Sequence, residues 1–436
     1  MQNWNLILAL ASGAVSAHRI VIVGGGFGGL HLVRALSRLL RPGEADVLLL
    51  DRNNYHLFTP LLYQVATGEL PPHAVAYPLR HAVVRDAHYR FRETDVEAID
   101  LERRALHTAD GRVEYDRLIL AAGSVTNDYG IPGVREHAFG MKYLAEAQEV
   151  RRRILTSFER ADAMADPEQR RSELTFAVVG AGPAGVELAS SMRDLFDHSL
   201  RGTYANVDVD RDTRIILIDA SERVLATMDQ RLARIAAKRL ADQRIEVRLG
   251  ALVSEIGDGV VRTKRGEEIR ARTIVWAGGV RATPLVHAIE LPQNRGRLMV
   301  DGIFRVGARD DLFAIGDAAY VESNGKPLAQ LAQVAVLEAP ALAKNLVHLI
   351  RGEPAAPYVH KEKGDLVALG RRQAAARLRR FAFMTAPRDV VFGGFPAWTV
   401  WRTNYLLQLL GVRNRATLLN EWLLSYFATR MVSNTP

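Results

Sequence analysis

The chain has 436 residues, more than a single hydrophobic core usually serves, so two or three domains are expected. Its 48% hydrophobic and 24% charged content describes a globular protein and excludes a fibrous or disordered one. Cysteine is absent, which excludes disulfides, thiolate metal sites, iron–sulfur clusters and any relay of electrons through a dithiol, so an electron carrier has to be a bound cofactor.

In chain order, the apolar run Leu6–Ala17 comes first. Val15 and Ala17 would suit a signal-peptidase site, yet no basic residue precedes the run, so it reads as a short docking segment or an extended start. His18–Val23 (HRIVIV) then has the look of a buried parallel strand, and Gly24–Gly29 (GGGFGG) follows at once. Gly24, Gly26 and Gly29 occupy the G-x-G-x-x-G positions, with Phe27 and Gly28 completing the turn: a tight bend, a bare backbone for a pyrophosphate, and close helix-to-strand packing. Leu30–Leu40 supplies the helix whose amino end faces the phosphates. A second strand, Val47–Leu50, ends in Asp51 and then Arg52, which places a carboxylate where it can bind a ribose hydroxyl. These residues point to a dinucleotide without separating FAD from NAD.

Tyr115–Ala122 (YDRLILAA) is a further strand-like run, ending in Gly123. Leu174–Val179 repeats the first pattern, with Gly180, Gly182 and Gly185 in the same spacing, and Ile215–Ile218 ends in Asp219 beyond an apparent polar insertion at 193–213. An acid at that strand tip favours NADH, because it would repel the 2′-phosphate of NADPH, and Arg223 nearby would blunt the preference. Ile274–Val280 (IVWAGGV) contains Gly278, and Leu312–Ile315 runs into Gly316 and Asp317. Strands that end in glycine turns thus flank the second unit on both sides. The simplest topology is an α/β fold of two Rossmann-like domains, the second inserted into the first, followed by a C-terminal amphipathic helical region. A domain to which the chain returns after an excursion suits a permanently held cofactor, so the expected boundaries are an extension at 1–17, an FAD domain at 18–172 with 286–360, an NADH domain at 173–285, and a basic, aromatic membrane-surface region at 361–436.

The net charge of +8 is localised. Residues 371–436 hold ten arginines, no lysine, one Asp and one Glu, together with 10 of the 31 aromatics. Leu419, Trp422, Leu423, Tyr426 and Phe427 fall at helical spacing, with Asn420, Glu421 and Ser425 off the stripe. Trp398, Trp401, Tyr405 and Leu409 make a similar stripe, with Arg402 and Gln408 aside, and Arg413 and Arg415 lie between the two. The expectation is a surface helix pair that meets anionic headgroups with its arginines and the interfacial zone with its tryptophans. The competing destination for the stripes is the protein itself or a second copy of the chain, which allows a homodimer. Nucleic acid is not expected, since the aromatics sit on apolar stripes rather than among the arginines. No apolar stretch reaches the roughly 18 to 20 residues of a spanning helix, and no metal-ligand spacing links the histidines; His56 and His73 read as loop residues, His56 with a local structural role.

Several blocks together make the chain resemble the type II NADH dehydrogenases, the single-subunit NADH:quinone oxidoreductases of the two-dinucleotide-binding-domain flavoproteins. They are Asp51–Gly68 (DRNNYHLFTPLLYQVATG), Ala76–Arg80 (AYPLR), Gly180–Ala189 (GAGPAGVELA), Ile274–Val280, Ala314–Asp317 (AIGD) and Gly411–Arg415 (GVRNR), and the resemblance spans His18 to Arg430. It implies FAD at Gly24, Gly26, Phe27, Gly28, Gly29, Asp51, Arg52, Ala122 and Gly123, with Gly316 and Asp317 at the ribityl and phosphate portion. It implies NADH at Gly180, Gly182, Gly185, Asp219 and Gly278, with Glu187 near the nicotinamide–flavin junction to orient the nicotinamide or relay a proton. The quinone signature A-Q-x-A-x-Q is matched by Ala332–Leu337, where Gln333 would hydrogen-bond a quinone carbonyl; Leu337 replaces the second glutamine, and Glu338, Ala339 and Pro340 depart from the usual Gln-Gly continuation. The implied activity is ping-pong oxidation of NADH with transfer of two electrons through FAD to a membrane quinone, without proton pumping, by a peripheral protein on the cytoplasmic face of the inner membrane. Two other functions fit the nucleotide sites: a flavoprotein reductase of a ferredoxin or rubredoxin, and a non-catalytic nucleotide sensor. Sulfide:quinone and disulfide reductases do not fit, because both need cysteines.

Overall fold

Five parallel strands form the first nucleotide sheet, in the order Leu312–Ala314, Arg117–Leu120, His18–Val23, Ala45–Asp51, Tyr89–Glu93. The structure, a computed structural model, describes residues 18–83, 88–323, 325–379 and 389–427. The docking run Leu6–Ala17 lies outside the described residues, as do the side chains of Ser425, Tyr426 and Phe427. Burial explains why the central strand carries no alternation: Ile20, Val21, Ile22 and Val23 are all buried, as a parallel strand covered on both faces requires. The helices Phe27–Leu39 and Ala332–Ile350 pack against each other in this unit.

The second sheet repeats the first. Its order is Phe139–Gly140, Thr273–Trp276, Thr175–Val179, Arg214–Ile218, Glu246–Arg248, again all parallel. Each sheet also leaves its fifth strand by a three-stranded antiparallel meander, at 96–114 in one case and 253–270 in the other, before the chain returns beside the central strand. The residues between 193 and 213, expected as a polar insertion, carry an ion network in which Asp197 meets Arg193 and Arg201, and Asp210 meets Arg201 and Arg244.

The chain divides into two compact units, one of residues 1–56, 78–124 and 281–361, the other of 57–77, 125–280 and 362–436. Residues 57–77 and 125–172 thus group with the second nucleotide sheet rather than the first. For 144–162 the reason is visible: this helix bonds Thr273 Oγ1 and Glu173 through Arg153, at 3.1 and 3.2 Å.

The C-terminal region differs from its expected form in three ways. It begins as an antiparallel sheet, Gly364–Ala368, Ala374–Leu378 and Val390–Gly394, before the helices Phe395–Gln408 and Val412–Phe427. Several of its described arginines are engaged within the protein. Arg377 pairs with Asp365 at 2.7 Å, Arg379 with Glu362 at 2.9 Å, Arg402 lies over the rings of Trp398 and Trp422, and Arg415 bonds the Leu409 and Leu407 carbonyls that end the preceding helix. Finally, the tryptophans face inward: Trp398, Trp401 and Trp422 are 7%, 1% and 2% exposed, and Trp422 Nε1 donates to Gln64 Oε1. Among the described residues the outward apolar set keeps Leu419 and Leu423 of the expected stripe and adds Phe395, Leu407, Val412 and Leu424.

Because Trp401 is fully buried and touches the rings of Tyr405 and Trp422, Trp401→Ala removes a core side chain rather than a surface anchor. Chemical denaturation of this variant is expected to show a loss of about 3–5 kcal/mol; a loss below about 1 kcal/mol would mean that the helix pair is not packed as described.

Candidate functional site

In the first unit four segments converge on the carboxyl ends of the parallel strands, where open α/β sheets bind ligands. Gly24 has φ +106°, and a Cβ there would lie 2.3 Å from the Ala121 carbonyl oxygen and 3.0 Å from Ala122 Cα. Gly29 is more constrained still, its Cβ falling 1.8 Å from the Gly24 oxygen, so the helix can pack this close to the strand only without a side chain. A Cβ on Gly28 would reach Ile315 Cδ1 at 3.2 Å. Gly26 is the contrast: a Cβ there would point into open space, so packing within the chain does not require its bareness.

Asp51 ties the second strand to this turn. Its Oδ2 accepts the Gly25 N–H at 2.6 Å and its Oδ1 the Asn53 N–H at 2.8 Å, while burial raises its pKa. Arg52, expected at the cofactor, is more than half exposed, with its guanidinium 3.3 Å from Asp95. His56 is buried beneath the turn, with Nδ1 3.1 Å from the Gly25 oxygen and its ring edge-on to Phe27; burial pushes its pKa down to about 4, so it is neutral. Across the sheet, Ser124 Oγ bonds Asp317 Oδ2, which joins the segment containing Ala122 and Gly123 to the Gly316–Asp317 turn. Gln333 stands in the first turn of the helix Ala332–Ile350, half-buried, and its amide makes no hydrogen bond to any described residue. Pro340 lies inside that helix rather than at its start.

The second unit reproduces the same construction. Gly180 has φ +111° and would place a Cβ 2.3 Å from the Ala277 oxygen and 2.9 Å from the Gly278 nitrogen; the Cβ of Gly185 would fall 1.8 Å from the Gly180 oxygen; Gly182 again has nothing within 4 Å. Asp219 Oδ2 accepts the Ala181 N–H at 2.5 Å and Oδ1 the Ser221 N–H at 2.7 Å. Arg223 is turned into its own loop, where Nη2 donates to the Ala226 and Met228 oxygens. The Gly278 oxygen accepts from Tyr129 Oη at 3.2 Å, a long-range contact that no sequence motif announces.

A dinucleotide fits both turns on the same observations: a helix amino end, open space at the middle glycine, and a half-buried carboxylate at the second strand tip. At each site the acid's backbone bonds leave lone pairs for ribose hydroxyls.

Glu187 is not gathered into the glycine turn of its own helix. Its side chain is turned to the C-terminal sheet, where Oε1 accepts the Ala368 N–H at 3.0 Å. Burial pushes its pKa up to about 8; the Ala368 N–H and the nearby Trp401 indole oppose this, although the indole Nε1 does not close to hydrogen-bond geometry. The phenols of Tyr63 and Tyr405 are raised by their own burial and secondly by the Glu187 charge. Beside this carboxyl lies a cavity lined by Tyr63, Gln64, Ser191, Ala368, Trp401 and Arg402. Sequence reasoning marked Glu187 and the tryptophans but not Tyr63 or Gln64, which sit in the Asp51–Gly68 block without a periodic or spacing signal.

Residues 18–339 match the family model of pyridine nucleotide-disulphide oxidoreductases. The chain is 34% identical to a type II NADH:quinone oxidoreductase of Mycobacterium tuberculosis, over 95% of this chain and 89% of that protein. It is 28% identical to a type II NADH:quinone oxidoreductase of Staphylococcus aureus, over 81% of this chain and 87% of that protein. In fold it is similar to the structure of NDH2 from Plasmodium falciparum in complex with NADH, with a TM-score of 0.84 at 20% identity, covering 95% of this chain and 99% of that one.

The glycines separate packing from ligand binding. Gly29→Ala is expected to destabilise the protein by about 1–3 kcal/mol through backbone overlap. Gly26→Ala should leave thermal stability of the ligand-free protein unchanged while reducing FAD retention on gel filtration. Equal stability losses in the two variants would contradict the distinction.

Proposed function

The chain belongs to the pyridine nucleotide-disulphide oxidoreductase family, among the type II NADH:quinone oxidoreductases, and from that membership we propose how its residues divide the work of oxidising NADH and reducing a quinone. Bound FAD supplies the redox step, taking a hydride from NADH and yielding two electrons to the quinone. Without cysteine, the chain has no dithiol through which the family's disulphide chemistry runs. The electrons therefore go from nicotinamide to flavin to quinone.

Gly24, Gly26, Phe27, Gly28 and Gly29 would hold the FAD pyrophosphate, Asp51 would take a ribose hydroxyl, and Ala122, Gly123, Gly316 and Asp317 would hold the rest of the cofactor. Arg52 contributes charge at the rim. Gly180, Gly182, Gly185 and Gly278 receive NADH, with Asp219 selecting the free 2′-hydroxyl. The same carboxylate-to-turn bond at Gly25 and Ala181 supports both turns as nucleotide sites, and the family membership supports which of them takes FAD and which NADH. Gln333 presents its unpartnered amide to a quinone carbonyl, and Leu337 supplies only apolar contact. Glu187, which holds a proton at neutral pH, orients the nicotinamide or relays a proton.

For reaching a lipid-dissolved quinone, no helix among the described residues is long and apolar enough to cross a membrane. The outward stripe Val412, Ala416, Leu419 and Leu423, at i, i+4, i+7 and i+11, is the membrane-facing surface in this reading, with exposed Arg413 for anionic headgroups. The tryptophans have no part in it. Docking on the cytoplasmic face, and assembly as a homodimer, complete the reading.

The deciding experiment reduces the purified holoprotein anaerobically with NADH and then adds a short-chain quinone. Prompt reoxidation is expected. Reduced flavin that persists until a ferredoxin is added would replace the reading with a ferredoxin reductase, and bleaching without turnover would favour a nucleotide sensor. For the membrane surface, Leu419→Ser with Leu423→Ser should release the protein from anionic liposomes while NADH-driven flavin reduction stays intact; undiminished liposome binding would refute the assigned stripe.

A further inference from the structure

Glu338 stands where the family's quinone signature continues with other residues, and its setting is unusual for an acid. It is 1% exposed, on the helix Ala332–Ile350, one and a half turns beyond Gln333. Its Oε2 accepts the Gly316 N–H at 2.7 Å. Gly316, at φ +66°, approaches this helix so closely that a Cβ would lie 3.2 Å from Ala335 Cβ. The turn that Glu338 holds therefore carries Asp317, whose carboxylate bonds Ser124 and whose backbone oxygen accepts from Gln330 Nε2 at 3.2 Å. One buried carboxyl thus links the expected FAD turn to the helix that presents the expected quinone residue.

We propose that Glu338 is a positioning and charge-compensating residue: it fastens the Gly316–Asp317 turn to the Gln333 helix and takes up one proton with each two-electron reduction at the flavin site. The proposal rests on the assignment of Gly316 and Asp317 to FAD. As a hydride brings its negative charge to the site, the Glu338 carboxylate takes one proton from solvent, and it returns that proton when two electrons leave for the quinone.

The electrostatics support this direction. Burial is the largest influence on Glu338 and pushes its pKa up to about 8; the Gly316 N–H opposes this, Asp317 adds to it, and Arg297 lowers it. Arg297 is itself committed to the Leu328 oxygen at 3.0 Å and lies over the Tyr320 ring. Tyr358, raised chiefly by burial, feels the Glu338 charge as well, and the helix Phe27–Leu39 packed alongside adds no charge to this set. Below about pH 8 the carboxyl is protonated before and after reduction, so it exchanges nothing. Above that it is ionised at rest, and the added negative charge raises its affinity for a proton.

The test is the midpoint potential of the bound flavin as a function of pH. One extra proton per two electrons is a tenfold change per pH unit, or about 30 mV, so the wild-type holoprotein should show a slope steeper by that amount above pH 8. Glu338→Gln, which keeps an oxygen acceptor for Gly316 but cannot titrate, should bind FAD normally and lose the extra slope. Identical slopes in the two proteins would overturn the proposal. Should Glu338→Gln not fold, redox-difference infrared spectra of the wild type at pH 9 decide the matter: a protonated-carboxyl band must appear on reduction, and its absence is equally fatal. A wild-type protein that holds no flavin, or whose flavin NADH fails to reduce, defeats the functional reading instead.

Discussion

Both nucleotide units depend on one short bond, from a carboxylate at the tip of the second strand to a backbone N–H in the glycine turn beside it. Asp51 and Gly25 make it at 2.6 Å, Asp219 and Ala181 at 2.5 Å. The bond fixes the turn between strand and helix, so that orphan N–H groups at the helix amino end point outward in a constant geometry. It is compatible only with Gly24 and Gly180 at positive φ and with bare Gly29 and Gly185 against the preceding carbonyl. Change any of these and the turn, the strand spacing and the anion site move together.

Each unit also buries one acid that holds a proton rather than a charge at neutral pH. Glu187 in one unit and Glu338 in the other are both nearly fully buried, both accept a backbone N–H, and both have pKa values pushed up to about 8 by burial. Neutral His56, pressed against the Gly25 oxygen, serves geometry alone.

The nucleotide turns were legible in the sequence because their determinants are local: three glycines, a β-branched strand before them and an acid about 25 to 40 residues later. What the sequence hid is long-range. Glu187 bonds Ala368, 181 positions away, and nothing in the GVELA block announces that partner. Helical spacing grouped Leu419, Trp422 and Leu423 on one stripe, but the structure divides them: Trp422, with Leu418, is buried and bonds Gln64, whereas Leu419 and Leu423 are exposed, because the inward face of the helix is offset from the stripe that periodicity suggested. The arginine count misled for a related reason: Glu362 and Asp365, which neutralise Arg377 and Arg379, lie just upstream of the basic segment. The C-terminal sheet at 364–394 was missed because Ala374–Ala376, three buried alanines, carry no strand signature.

The central claim is that one construction, used twice, holds two different nucleotides, FAD on Asp51 and NADH on Asp219. The most direct measurement compares Asp51→Ala with Asp219→Ala for flavin content after gel filtration and for the NADH concentration that half-reduces whatever flavin remains. The account predicts that Asp51→Ala loses flavin, whereas Asp219→Ala keeps it, needs more NADH and discriminates less against NADPH. Full flavin retention in Asp51→Ala together with flavin loss in Asp219→Ala would reverse the assignment and contradict it.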